Sequence, residues 1–433
     1  MWSLSGKNYI AVDGNKELTA ERPILEYLNP KTVEIAIKHM ASEKFDVHVE
    51  IGDQVKIGTL LATRKDQFDV PIFSSVSGTV KAVEKKDHVS NRRTNHLIIE
   101  NDYQDEAIES AAPIKEISKL SAEEIRSLLK EKGVIGLSGS AFPTFEKFKE
   151  AKPVETIVLN GIESEPYLTS DEANMRESAE LLFDGAYLLM KAAGALNVII
   201  AITKSRRSLY EKLSAYKSKY KNISIKAMDD IYPMGWEKLL IRQAVGKSYE
   251  GDPSEAGVIC INSSTAIEFA RSIATGLPLY EKIVTLSGEG FQKPQNVKVR
   301  IGTNLSEVIE KIGGYTKEVG PKTARLVYGG PLKGNSIVTD DLAITPEASG
   351  FLSLLEVPMA EEPCSRCGDC VNHCPAGLQP IQIVNAFKNK DKPMLKNLGA
   401  SACIDCGICT FVCPSAINLS KTTAKAKAFA LRK

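Results

Sequence analysis

Nine cysteines occur in this 433-residue chain, and eight of them lie near the C-terminus in two copies of one spacing. Cys364, Cys367, Cys370 and Cys374 are followed by Pro375; Cys403, Cys406, Cys409 and Cys413 are followed by Pro414. A cysteine every third residue delivers three thiolates from one tight loop, and a fourth from elsewhere completes the ligand set of a cubane [4Fe–4S] cluster. In runs of this form the last cysteine serves the other cage. The expected sets are therefore Cys364, Cys367, Cys370 and Cys413 for one cluster, and Cys403, Cys406, Cys409 and Cys374 for its neighbour. The crossing would bring two one-electron carriers close together. Zinc sites pair one C-x-x-C with a second or with histidines, and neither this run nor its repetition fits that chemistry. Disulfides fit no better, because no N-terminal stretch reads as a secretory signal and reduced thiols belong to the cytoplasm or its face of a membrane. Cys260, alone in the apolar run 257–262, reads as a packed structural thiol on a strand.

Three further segments carry polar groups at positions suited to a ligand. The run 136–144 contains Gly136, Ser138, Gly139, Ser140 and Ala141, and Lys147 follows it. Small residues there let backbone N–H groups approach a phosphate or a flat ring, and Lys147 can add a charge. The run 160–167 places Asn160, Glu163 and Glu165 directly after an apolar stretch, where open α/β sheets bind ligands. Two acids so close need donors such as ribityl or ribose hydroxyls. The third segment, 232–238, holds Tyr232, Gly235 and Glu237, and Asn262 opens a later polar run with Ser263, Ser264 and Thr265.

The elements that must hold these residues follow from periodicity. Between about 45 and 100, short β-rich runs alternate with glycine turns, as in a small barrel-sandwich of the lipoyl and biotinyl type. Lys65 lacks the Met-Lys-Met context of a biotinyl lysine and reads as an exposed charge. Ser121 and Glu124 have capping-box spacing and predict a helix to about residue 132. Residues 156–160 and 198–202 read as buried strands, 176–193 as an amphipathic helix, and 258–274 as a strand and helix. From 297 to about 338 short strands surround one helix at 305–312, with turns at Gly313-Gly314 and Gly329-Gly330, which suggests a β-grasp unit. Residues 358–363 mark a hinge before the cysteine module.

Hydrophobic residues make up 43% and charged residues 25% of the chain, enough for several globular cores. No run approaches the roughly 18–20 apolar residues that span a bilayer. A net charge of +1 argues against a nucleic-acid partner. The basic tail, with Lys421, Lys425, Lys427, Arg432 and Lys433, reads as a solvated, frayed end.

Taken in order, the runs 136–144, 160–176 and 232–238 resemble the C subunit of the Rnf ion-translocating ferredoxin:NAD oxidoreductase complex. The α/β part is similar, more distantly, to the NADH-binding flavoprotein subunit of complex I. The resemblance spans nearly the whole chain and implies four domains: barrel-sandwich (1–112), FMN- and NADH-binding α/β (113–290), SLBB β-grasp (291–357) and an α-helical two-[4Fe–4S] ferredoxin-like unit (358–433). It implies FMN held by Gly136, Gly139, Lys147, Asn160, Glu163, Glu165, Gly235, Glu237 and Asn262, with NADH as substrate and no side chain acting as general acid or base. It implies ferredoxin as indirect partner, other Rnf subunits as direct ones, and peripheral attachment to the cytoplasmic face of the membrane. Where the family usually reads Gly-Leu-Gly-Gly-Ala-Gly-Phe-Pro-Thr, this chain has Ser138, Ser140 and Ala141, so a different loop conformation or a lower affinity for the ligand is expected. Two alternatives accompany this reading: a soluble NADH-dependent donor to a dedicated reductase, and a flavin-free iron–sulfur adaptor.

Overall fold

A computed structural model describes residues 10–149, 153–319, 325–355 and 359–432. Pro358 of the expected hinge and Lys433 of the basic tail lie outside them. Two small antiparallel sheets open the fold. One runs Thr32–Ala36, Arg92–Asn101, Gly78–His88, Gln54–Val55, and the other Phe45–Val47, Leu60–Arg64, Pro71–Phe73. Their inner faces bury Val33, Ile35, Leu61, Val80, Leu97 and Ile99. Lys65 stays at the surface, paired with Asp46 at 2.8 Å.

The α/β unit is a parallel sheet in the order Ile223–Met228, Asn197–Thr203, Thr156–Asn160, Val258–Asn262. Both faces are covered, as a parallel sheet requires. Ile157 and Leu159 pack on the helices Ala122–Glu131, Ala179–Ala193 and Ser263–Thr275, while Val158 and Cys260 face the helix Glu237–Val245. Ser121 and Glu124 form the expected capping box. The single helix expected over 176–193 is instead two, Ser170–Glu177 and Ala179–Ala193. Ser178, at φ −117° and ψ 42°, breaks the backbone between them, and its hydroxyl accepts from Arg271 at 3.0 Å.

A six-stranded mixed sheet follows, in the order Leu25–Tyr27, Gln295–Arg300, Glu281–Ser287, Gly350–Leu354, Arg325–Tyr328, Asn335–Ile337. The helix Leu305–Lys311 packs across it through Leu305, Val308 and Ile309. Two of these strands come from outside the stretch expected to form the unit: Leu25–Tyr27 from near the N-terminus, and Glu281–Ser287 from before residue 291. The cysteine module is helical, and its last helix, Leu419–Leu431, corrects the expectation of a frayed tail. Leu419, Thr423, Ala426 and Ala430 form a buried stripe at helical spacing, and Lys427 donates to the Cys403 carbonyl at 2.7 Å.

Candidate flavin and iron–sulfur site

The order of the parallel sheet fixes where a ligand can sit. The chain runs outward from Thr156–Asn160 through two strands on one side, then returns to add Val258–Asn262 on the other. The two strands that flank this reversal end in register, Asn160 opposite Asn262, and such a switch point is where open α/β sheets bind ligands. Their side chains are held rather than free. Asn160 Nδ2 donates to the Gly235 carbonyl at 2.9 Å, while Asn262 Nδ2 donates to Asp171 Oδ2 at 2.6 Å and its Oδ1 caps the helix Ser263–Thr275 at Thr265 N.

Above this pair opens a cleft whose empty space, about 750 Å³, includes open solvent. Ser138, Asn160, Glu163, Ser164, Glu165, Asp171, Tyr232, Pro233, Gly235, Trp236 and Asn262 line it from the α/β unit. Lys333 and Ser349 enter from the six-stranded unit, Ile404 and Cys406 from the cysteine module. Five of the nine residues that the resemblance implies for FMN therefore share one cavity: Asn160, Glu163, Glu165, Gly235 and Asn262. Gly136, Gly139, Lys147 and Glu237 lie outside its lining. Lys147 donates to the Cys260 carbonyl at 2.7 Å and sits 3.6 Å from Glu237, which accepts from Tyr249. Burial raises the Cys260 thiol to about 12, so it stays a neutral, packed group.

Of the acids of the cleft, Asp171 is buried and Glu163 and Glu165 are half-buried. Burial, with the nearby Asp171 charge, holds Glu163 well above the ordinary carboxylate range; the Lys16 charge opposes this, and Glu172 N donates to Glu163 Oε2 at 2.9 Å. Burial likewise raises Asp171, against hydrogen bonds from Ser264 and Asn262. Burial lowers the two balancing lysines, Lys282 to about 8 and Lys16 below its usual value. Lys16 Nζ donates to the Glu165 and Leu168 carbonyls beneath the acidic loop. Carboxylates so placed favour a ligand that brings hydroxyl donors, and glycine is needed at 235 for packing within the loop, since an added Cβ would fall 2.8 Å from the Ile162 carbonyl. Hydroxyl-bearing chain and flat ring both suit this lining, with Tyr232 and Trp236 as aromatic walls.

The glycine-rich loop differs from a simple amide cradle. Gly136 N donates to Phe142 O, Leu137 N to Thr265 Oγ1, Gly139 N to Glu347 O and Ala141 N to Gly136 O, at 2.9 to 3.1 Å. These four amides are engaged within the protein. Ala141 adopts the left-handed φ of +50° in spite of its Cβ.

The cleft abuts the cysteines directly. Tyr232 Oη lies 2.7 Å from Glu165 Oε1 and 2.6 Å from the Cys406 carbonyl, whereas one hydroxyl has one proton. Both bonds are satisfied when Glu165 carries a proton and donates to Tyr232, consistent with burial raising Glu165. Beyond Cys406 a second cavity of about 360 Å³ is ringed by Cys374, Cys403, Cys406 and Cys409, the set expected to hold one cage. Cys370 lies near Cys367, Cys413 and Cys364, the other expected set, and also near Cys374 and Cys409 of the first. Among the described residues no three His, Cys, Asp or Glu side chains approach closely enough to share one ion.

Comparison with known proteins agrees with this layout part by part. Residues 5–104 match the RnfC barrel sandwich hybrid domain, 129–271 the Nuo51 FMN-binding domain, 283–339 the SLBB domain and 363–417 the 4Fe-4S dicluster domain. The chain is 33% identical over 375 residues to the C subunit of the Na+-translocating ferredoxin:NAD+ oxidoreductase complex of Acetobacterium woodii, covering 85% of this chain and 84% of that one. The chain belongs to the RnfC family. It is also 29% identical to the C subunit of the proton-translocating ferredoxin:NAD+ oxidoreductase complex of Clostridium ljungdahlii, over 86% of this chain and 82% of that one. A third RnfC relative, from Rhodobacter capsulatus, is 31% identical over 88% of this chain and 74% of its own. A solved NAD+-reducing [NiFe]-hydrogenase in its H2-reduced state superposes with TM-score 0.52 at 16% identity, covering 74% of this chain and 66% of that one, a likeness of fold alone. Multidomain architecture, FMN-binding domain and dicluster domain are thus as the sequence implied. No helix among the described residues is long and apolar enough to cross a membrane.

The run 232–238 singled out in the sequence brings Tyr232 and Trp236 to the cleft, whereas Asp171, Lys333 and Ser349 were not assigned to it. Lys282 carried a signal. It shares strand parity with Val284 and Leu286, which are buried, so a lysine at that register points inward.

Proposed function

We propose that this chain is the peripheral electron-transfer subunit of an Rnf-type complex at the cytoplasmic face of the membrane. It exchanges electrons between NAD(H) and ferredoxin through FMN and two [4Fe–4S] clusters, while partner subunits move Na+ or H+. One observation carries the reading: the ligand cleft at the sheet's switch point and the cavity of four cysteines share Ile404 and Cys406 as a common wall. Bound there, FMN would supply the conversion of hydride transfer into single-electron transfer. The chain's own residues hold and shape the site. Glu163, Asp171, Asn160 and Asn262 would take ribityl hydroxyls, Gly235 would keep the loop packed, and Trp236 and Tyr232 would exclude water from one side. Gly136, Gly139, Lys147 and Glu237 would act from outside the lining, by fixing the loop and the Tyr249 region. Cys374, Cys403, Cys406 and Cys409 would hold the cluster nearer the cleft, and Cys364, Cys367, Cys370 and Cys413 the farther one. No side chain need transfer a proton to substrate.

A second reading, the flavin-free adaptor, is favoured by the four loop amides engaged within the protein. One experiment separates the two. The chain is reconstituted anaerobically with iron and sulfide, titrated with FMN and then given NADH. Stoichiometric uptake of FMN and bleaching of its absorbance by NADH are expected; full iron content without FMN uptake refutes the dehydrogenase reading and leaves the adaptor.

A further inference from the structure

The glycine-rich loop is gripped from the barrel-sandwich unit. His39 Nε2 lies 2.6 Å from the carbonyl of Ala141, and His39 Nδ1 lies 2.8 Å from Arg64 Nη1. Arginine cannot accept a hydrogen bond, so Nδ1 is the acceptor and the ring proton resides on Nε2, donated to Ala141. Arg64 is fixed in turn by Asp66, Nε to Oδ2 at 2.7 Å, and its guanidinium stands 4.7 Å over the Phe68 ring. Phe68 meets the loop residue Phe142 edge-on, with ring centroids 5.9 Å apart. Both His39 and Arg64 are buried, at 6% and 8% exposure. Ala141 is where the backbone enters the left-handed region with a Cβ attached, a conformation that persists only when its surroundings impose it.

We propose that the barrel-sandwich unit serves as a clamp on the glycine-rich loop, with His39 as its positioning residue. The bond from His39 to the Ala141 carbonyl and the contact of Phe68 with Phe142 hold the loop in the shape that admits FMN. The consequence for FMN rests on the flavin reading above; the clamp on the loop does not.

The test uses the full chain with its clusters reconstituted. H39L fills the imidazole's space without a donor, whereas H39Q restores an amide N–H toward Ala141 and an oxygen toward Arg64. Deuterium exchange over residues 136–144 is measured without FMN, and FMN affinity by fluorescence quenching. In H39L, loop exchange should quicken roughly tenfold and FMN should bind roughly tenfold more weakly, the loss of one buried hydrogen bond. H39Q should stay within about twofold of wild type, and iron content should be unchanged in both. Wild-type loop exchange in H39L overturns the proposal. If wild type takes up no FMN, the flavin reading falls, yet loop exchange still decides the clamp. Should H39L not fold, F68L carries the same comparison through the Phe142 contact.

Discussion

Glu163 offers a direct measure of how far this site is built for a ligand at the expense of the fold. The residue is half-buried, and desolvation of its carboxyl followed by the Asp171 charge raises it from 4.5 to about 7. Between those pH values the folded chain keeps a proton that the unfolded chain has released. Stability conferred by the neutral carboxyl is therefore fully present below pH 4.5 and is lost as pH rises to 7. Each pH unit is worth about 1.4 kcal/mol, which sets a ceiling of about 3 kcal/mol; Asp171 shares the cost, so about 2 kcal/mol is the working figure. E163Q keeps an acceptor for Glu172 N and carries no charge. The FMN-free variant should match wild type near pH 4.5 and exceed it by about 2 kcal/mol at pH 8, a urea midpoint roughly 1 M higher. Trp236 lies in the cleft and provides the fluorescence signal. Equal midpoints at pH 8, or the same pH slope in both proteins, would refute the reasoning.

Three further substitutions probe the cysteine module. C374S should remove about half the iron and spare the cage of Cys364, Cys367, Cys370 and Cys413; electron paramagnetic resonance that shows the opposite cage lost would overturn the crossed pairing. G407A should cost about 2 kcal/mol or more, because Gly407 has φ +81° and an added Cβ would fall on the Leu332 carbonyl. G377A, at φ +62° with nothing within 4 Å, is the control and should cost only about 1 kcal/mol. Equal thermal midpoints for the two variants would show that the module does not lean on Leu332.

What the sequence made legible is local. The cysteine spacing, the capping box at Ser121, the parallel strands 156–160 and 198–202 and the acidic loop after the first of them all depend on neighbours within a few residues, and all are present. The break at Ser178 was hidden because Ser170–Glu177 is buried nearly all round, with Asp171, Glu172 and Asn174 among its buried residues, so no apolar stripe marked it as a helix. The strand Leu25–Tyr27 was hidden for another reason: its partner lies some 270 residues away, in register with Val297 to Val299. Lys147 shows the limit of reading a lysine as a ligand's charge, because Glu237 and the Cys260 carbonyl claim it first.

The same distinction explains how the cleft is assembled. The α/β unit supplies Glu163, Glu165 and Asp171, acids it cannot offset alone. The lysines whose charges oppose them come from elsewhere: Lys16 from the N-terminal segment, Lys282 and Lys333 from the six-stranded unit. Arg176, from the α/β unit itself, pairs with Glu172 at 2.6 Å and ties that unit to the N-terminal segment by donating to the Ala20 carbonyl. The acidic loop thus has much of its countercharge delivered by neighbouring units, each fixed by its own core. Tyr232 then joins that loop to Cys406, so the groups that shape the ligand cleft and the loop that would carry the nearer cluster are positioned by one hydrogen-bonded connection.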